Sequence, residues 1–191
     1  MVLTRKRKSD LIFWAGFGLI VAFLYLTPWG SSTRAWMGGL FLSSPNMEKH
    51  EANKDNFLSS DWNLQNINEN KILISETNKP IFINIWATWC GPCRTEMPSI
   101  NNLYNKYKND VEFILVSPDE TIEVLKEFGQ NNAYNFPIYT SISQTPIQLQ
   151  TNSYPTTIII DKNKNITYKM TGAHDWDTEE VYSILDELIN K

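Results

Sequence analysis

The chain's two cysteines, Cys90 and Cys93, are separated by Gly91 and Pro92, and this spacing limits the 191-residue chain more than any other feature. An apolar, β-prone run, Ile81 to Trp86, leads into the pair, and a helix-like run, Ile100 to Tyr107, leads out. A Cys-x-x-Cys at a strand-to-helix junction has the form of a redox site. Cys90 would stand at the open N-terminus of a helix, where unpaired backbone N–H groups and the helix dipole stabilise a thiolate. Cys93, one turn along, is near enough to close a small disulfide ring. Pro92 gives up an N–H that the first helical turn leaves unused.

Two other readings use the same residues. Cys-x-x-Cys is half of a zinc site, but tetrahedral zinc needs about four ligands. The only histidines, His50 and His174, are not paired at ligand spacing, so zinc would require a second chain. A purely structural disulfide is the other, yet so short a loop removes little entropy from the unfolded chain. Redox chemistry is the reading adopted.

These residues also carry a resemblance. Trp89-Cys90-Gly91-Pro92-Cys93 resembles the active site of the thioredoxin superfamily, and the longer stretch from Asn84 to Pro98 is similar to its extracytoplasmic TlpA/ResA-like branch. Asn84 stands where thioredoxin carries a buried Asp. Glu96 stands where ResA-like proteins carry a glutamate implicated in tuning the cysteines. The likeness, over residues 57–190, implies an α/β thioredoxin-like fold: a central mixed β-sheet flanked by helices, with a helix–strand insertion. It implies no metal, and no cofactor beyond a redox-active Cys90–Cys93 disulfide. Read as a residue type alone, Glu96 is an exposed glutamate one turn into a helix.

The first thirty residues read as a membrane element. Arg5 to Lys8 is a basic cluster, followed by an uninterrupted apolar run from Leu11 to Leu26. Extension through Pro28 and Trp29 approaches the ~20 residues that span a bilayer core. The excess of basic residues before the run places the N-terminus in the cytoplasm, with Trp14, Tyr25 and Trp29 at the interfaces. Residues 1–30 are therefore expected to be an uncleaved transmembrane signal-anchor, with a cleaved signal peptide as the rival; Thr33-Arg34-Ala35 is a poor cleavage site. Residues 31–56 are a juxtamembrane linker, in which Trp36, Leu40, Phe41 and Leu42 either lie along the membrane or form part of a loose connector. Ser43 to Asn56 reads as a polar spacer. Residues 57–191 form the globular domain. Either N-terminal reading exports it to a periplasmic or outer face, where stable disulfides exist.

Past residue 45 there are 12 Lys and Arg against 20 Asp and Glu, a net charge of −8, which argues against a nucleic-acid partner. Trp62 to Leu64 and Lys71 to Ile74 flank a polar turn and suggest a hairpin. Asn84 interrupts the central strand, either as an amide satisfied by backbone or as a neutral group that leaves proton handling to Glu96. Pro98 should kink the cysteine helix. Val111 to Val116 is the next strand. Ser117-Pro118-Asp119-Glu120 has the pattern of a capping box, opening a helix with Ile122, Leu125 and Phe128 inward and Gly129 at its end. Phe136 to Thr140 reads as an extra strand and Thr145 to Gln150 as a short proline-opened helix. Asp177 to Glu180 caps a last helix whose core face is Val181, Ile184, Leu185 and Leu188. His174 is assigned no role, Trp86 and Trp89 pack and shape the rim, and Arg94 covers the helix surface.

By resemblance, Pro155 is a cis-proline beside Cys90, and the Tyr154 backbone offers hydrogen bonds to an extended substrate. Trp89, Gly91, Pro92, Tyr154 and Pro155 then form the substrate surface. Cys90 attacks a partner disulfide, Cys93 resolves the mixed disulfide, and Glu96 handles a proton or raises the cysteine pKa values. Gly91-Pro92 is the dipeptide of reducing thioredoxins. The expected substrate is a disulfide-containing extracytoplasmic protein, such as apocytochrome c before haem attachment, with a membrane electron donor to recycle the cysteines. The chain lacks the Gly-Val-x-Gly-x-Pro-Glu pattern of dedicated cytochrome-maturation relatives. A disulfide-forming oxidant of this fold, or a tethered non-catalytic binding module, are the alternatives.

Overall fold

Ile81–Ile85 forms a strand with all five residues buried, as a run that is apolar at every position but Asn84 should when both of its faces are covered. The computed structural model describes residues 5–26, 42–47, 58 and 61–191. In chain order the elements are α1 (Arg5–Leu26), β1 (Asn63–Asn66), β2 (Lys71–Leu73), β3 (Ile81–Ile85), α2 (Gly91–Tyr107), β4 (Glu112–Val116), α3 (Ile122–Asn131), β5 (Ile138–Ser141), β6 (Thr156–Ile160), β7 (Ile166–Thr171) and α4 (Glu179–Asn190). Among the described residues one mixed sheet of seven strands runs β2-β1-β5-β4-β3-β6-β7. β3 is parallel to β4, with Ile83 opposite Ile114, and antiparallel to β6, with Ile83 opposite Ile158.

Successive strand side chains point to opposite faces, and this alternation sorts the core. Phe82 and Trp86 face one way and join a cluster built from Cys93, Met97, Ile100 and Leu103 of α2, Leu125 and Phe128 of α3, and Val181, Leu185 and Leu188 of α4. Ile81, Ile83 and Ile85 face the other way, against Trp62, Ile74, Leu149 and Ile158. All three helices of the domain thus contribute buried residues to one face. The opposite face is closed by the β1 region and two 3-10 turns, Ile74–Glu76 and Ile147–Leu149. Because Asn84 is on the same side of β3 as Phe82, its amide points toward α2. This parity makes the site below.

Several sequence expectations shift. The β1–β2 hairpin forms as expected, and α2 continues through Pro98 without interruption. The Ser117–Glu120 segment is a turn rather than a capping box. Helix α3 starts at Ile122, with Thr121 as an N-cap whose side chain makes no capping hydrogen bond to the helix backbone, and continues past Gly129 to Asn131. Glu120 is held elsewhere, by Thr88 and Ser117, so it does not serve α3. The expected extra strand is Ile138–Ser141. The expected short helix is the 3-10 turn Ile147–Leu149, with Pro146 at its N-cap. Helix α4 is capped by Thr178, whose hydroxyl accepts from the Val181 amide.

Helix α1 contains the run from Leu11 to Leu26, with Phe13, Trp14, Phe17, Leu19, Ile20 and Tyr25 all exposed. Among the described residues no helix is long and apolar enough to cross a membrane. The expected span extended through Pro28 and Trp29, which lie outside the described residues, as do 31–41 and 48–57. Part of the expected spacer packs on the domain: Pro45 is buried, Met47 lies against the main core, and the Ser43 carbonyl accepts from the Asp175 amide at 3.0 Å.

Candidate redox site

The site grows from the junction of β3 and α2. After β3 the Trp86 amide still bonds Val116 of β4 at 3.1 Å, and the Cys90 amide turns back to the Ala87 carbonyl at 3.1 Å. Cys90 is then the N-cap of α2: its Sγ accepts from the Cys93 amide at 3.2 Å, one of the N–H groups that a helix start leaves without a carbonyl. Pro92 lies in the first turn, where it forfeits nothing. Cys90 and Cys93 form a disulfide with Cα atoms 5.3 Å apart. Both are buried, at 5% and 1% exposure, whereas neighbouring Trp89 is 74% exposed and Gly91 and Pro92 also face solvent. Around the buried pair, the exposed residues of this segment are Trp89, Gly91 and Pro92.

The Tyr154–Pro155 peptide is cis. The Pro155 carbonyl accepts from Gly172 at 2.9 Å. Tyr154 is half-buried, with its ring 5.9 Å from that of Trp89, so the loops before Cys90 and before Pro155 meet through two aromatic side chains. Gly172 has φ +91°, a conformation open to glycine, and turns the chain out of β7 toward His174.

Glu96 is not the exposed helix residue that its residue type alone suggested. It has no exposed surface. Its carboxylate accepts from three donors: Asn84 Nδ2 at 2.8 Å, Trp176 Nε1 at 2.8 Å and the His174 amide at 3.1 Å. Burial pushes the carboxyl up to about 7, and the bonds from Trp176, Asn84 and His174 pull in the opposite direction. Asn84 is satisfied by side chains and not by backbone: besides Glu96 it donates to Thr157 Oγ1 at 2.9 Å, and its own Oδ1 has no donor among the described residues. His174, assigned no role from sequence, supplies its backbone N–H to Glu96 and sets its ring edge-on to Trp176. Sequence reasoning missed Trp176 entirely. The available cue was a lone large aromatic in the polar loop from His174 to Asp177.

Trp86 is wholly buried and packs on Phe128, so it shapes the core, and Trp89 alone of the two is at the rim. Arg94 is half-buried and lines a cleft of about 400 Å³ with Thr88, Val124 and Phe128. A cavity of about 440 Å³ at the other end of β4, lined by Ile72, Lys79 and Glu112, holds none of the expected site residues. Among the described residues no group of three or more His, Cys, Asp or Glu side chains is placed to hold a metal ion.

The comparisons with known proteins agree with this geometry. The Redoxin family profile matches residues 58–185. The thiol-disulfide oxidoreductase ResA of Bacillus thuringiensis is 36% identical over 106 residues, which cover 54% of this chain and 61% of that protein. The matched stretch thus spans less than two thirds of that relative. The pneumococcal exposed lipoprotein thioredoxin Etrx1 of Streptococcus pneumoniae superposes with a TM-score of 0.59 at 21% identity, covering 68% of this chain and 100% of that one. A thiol:disulfide interchange protein of the thioredoxin family from Chlorobium tepidum gives 0.57 at 18% identity, covering 73% and 99%. At those identities the two structures speak for the fold. With the family profile running over well more than half of its length, and with the fold and the cysteine pair in agreement, this chain belongs to the Redoxin family and has a thioredoxin-like fold.

Proposed function

We propose that the chain is an extracytoplasmic thiol–disulfide oxidoreductase that reduces disulfides of partner proteins through a Cys90–Cys93 dithiol/disulfide cycle. One observation carries the reading: Cys90 caps α2 with its sulfur, so the helix N-terminus that donates the Cys93 N–H to that sulfur is also poised to stabilise a Cys90 thiolate. In the reduced protein the Cys90 thiolate attacks one sulfur of a partner disulfide. An S–S bond forms between them, and the partner's other sulfur leaves as a thiolate that takes a proton from solvent. Cys93 then gives its proton to Glu96, one helical turn away, and attacks the Cys90 sulfur. The partner's first sulfur leaves as a thiolate that takes a proton from solvent to become its second thiol, and the Cys90–Cys93 bond closes. Two electrons have passed to the partner, and a dithiol donor in the membrane returns them. A carboxyl near 7 suits Glu96 to take and return that proton at neutral pH.

The tether in this proposal is α1, whose apolar run follows the basic cluster Arg5 to Lys8. The resemblance favours apocytochrome c with its haem-binding cysteines oxidised as a substrate. The decisive measurement is the reduction potential of the Cys90–Cys93 pair in a thiol redox buffer. A value near thioredoxin's, about −270 mV, supports a reductase, and one near about −120 mV makes the protein an oxidant. The absence of any reversible two-electron couple overturns the reading. Recovery of the intact chain in the membrane fraction, with the domain open to protease only from the outer side, tests the tether and its orientation.

A further inference from the structure

The turn that follows β4 is bonded both to the loop before Cys90 and to the loop before Pro155. The Glu120 carboxylate accepts from the Thr88 amide at 2.9 Å, from the Thr88 hydroxyl, and from the Ser117 hydroxyl at 2.7 Å. It thereby grips the loop just before Trp89 and Cys90. The neighbouring carboxylate, Asp119, accepts from the Tyr154 hydroxyl at 2.5 Å and grips the loop just before Pro155. The turn has its own frame: the Ser117 amide bonds Tyr139 of β5 at 2.9 Å, and Thr140 of β5 donates to the Glu120 carbonyl at 2.8 Å. Two adjacent carboxylates on one anchored turn therefore fix the two loops whose aromatic rings, Trp89 and Tyr154, lie with centroids 5.9 Å apart.

We infer that the Ser117–Glu120 turn is the positioning element of the substrate surface. Glu120 sets Trp89, Asp119 sets Tyr154, and together they hold the two rings as one aromatic platform for an extended polypeptide with apolar side chains beside its disulfide. The inference rests on the oxidoreductase reading and adds to it the residues that shape polypeptide recognition. Three features support a positioning role over a merely structural one. Asp119 is exposed, so its only described side-chain bond is to the rim. Tyr154 remains a phenol at any working pH, because burial and the Asp119 contact push it up to about 12. Trp89 is left 74% exposed beside the Tyr154 ring, so the described residues leave its apolar face open.

The test is dithiothreitol-driven reduction of insulin by the full chain, with the reduction potential of each variant measured in parallel. Asp119→Ala is expected to raise KM for insulin about five- to tenfold, the effect of losing one solvent-exposed hydrogen bond, while kcat stays within about twofold and the potential stays at the wild-type value. Asp119→Asn keeps an acceptor oxygen and should restore most of the loss. Glu120→Gln, which keeps one acceptor, should shift KM in the same direction by less. Unchanged KM in Asp119→Ala overturns the inference. So does a fall in kcat accompanied by a shifted potential, which would make the turn act on the cysteines instead of the platform. A wild-type protein without a reversible Cys90–Cys93 couple would instead sink the oxidoreductase reading beneath it. The two failures are therefore distinguishable, and Asp119 on the surface keeps the test open if Glu120→Gln fails to fold.

Discussion

Replacing Trp176 by Phe keeps an aromatic ring against Phe82 and removes one donor, the indole N–H that meets Glu96 Oε2 at 2.8 Å. A hydrogen bond to a charged group is worth about 1.5–3 kcal/mol, and about 1.4 kcal/mol corresponds to one pH unit. Losing it should therefore raise the Glu96 carboxyl by about one to two units above its present value near 7. The effect on stability has a definite sign. A carboxyl raised in the fold keeps its proton where the unfolded chain has released it. Stability is then fully present below the unfolded value of 4.5 and declines as pH rises toward the folded value. The wild-type decline ends near 7, and that of Trp176→Phe continues further. The variant gains about 1.5–3 kcal/mol of destabilisation at pH 9 that is absent at pH 5. The smaller ring also leaves a cavity costing about 1–3 kcal/mol, equally at every pH. Urea unfolding of the oxidised protein across this range separates the two contributions, and carboxyl NMR follows Glu96 directly. A difference between wild type and variant that stays constant from pH 5 to pH 9 refutes the reasoning: the indole bond would then not favour the charged carboxylate.

Cys93→Ser should leave Cys90 able to attack but without a thiol to resolve the product, so a mixed disulfide with the partner accumulates on non-reducing gels and disappears on reduction. The adduct appearing in Cys90→Ser instead would reverse the two roles. Thr178→Ala removes the hydroxyl that accepts from Val181 at 3.4 Å and should cost about 1 kcal/mol in thermal unfolding. A loss well below that would mean that the first turn of α4 is held by tertiary packing, with Val181 already buried.

What was legible in the sequence was local. The strand Ile81–Ile85, the helix opening at the cysteines and the cap of α4 follow from side chains within a few residues of one another. Where a local pattern has two possible partners, it misleads. Ser117-Pro118-Asp119-Glu120 matches a capping box, but Glu120 finds the Thr88 backbone 32 residues away and leaves the start of α3 uncapped by a side chain. Ser43 to Met47 read as spacer because they are polar and unpatterned, yet they dock by a backbone carbonyl and by Pro45 and Met47, which composition does not reveal.

Glu96 divides the two sources of information most clearly. The sequence by itself determined that the chain would carry a strand, a Cys-x-x-Cys and a helix in succession, and that a glutamate would follow Cys93 by three positions. Helix geometry then sets Glu96 one turn beyond Cys93. Only the tertiary structure decided that this glutamate is buried. Its environment is assembled from Asn84 across the sheet interface and from His174 and Trp176 on a loop about 80 residues later. The physical reason is that desolvation and hydrogen bonding act through space. A carboxyl's charge state depends on which donors surround it and on whether water can reach it, and neither is encoded in the few residues on either side.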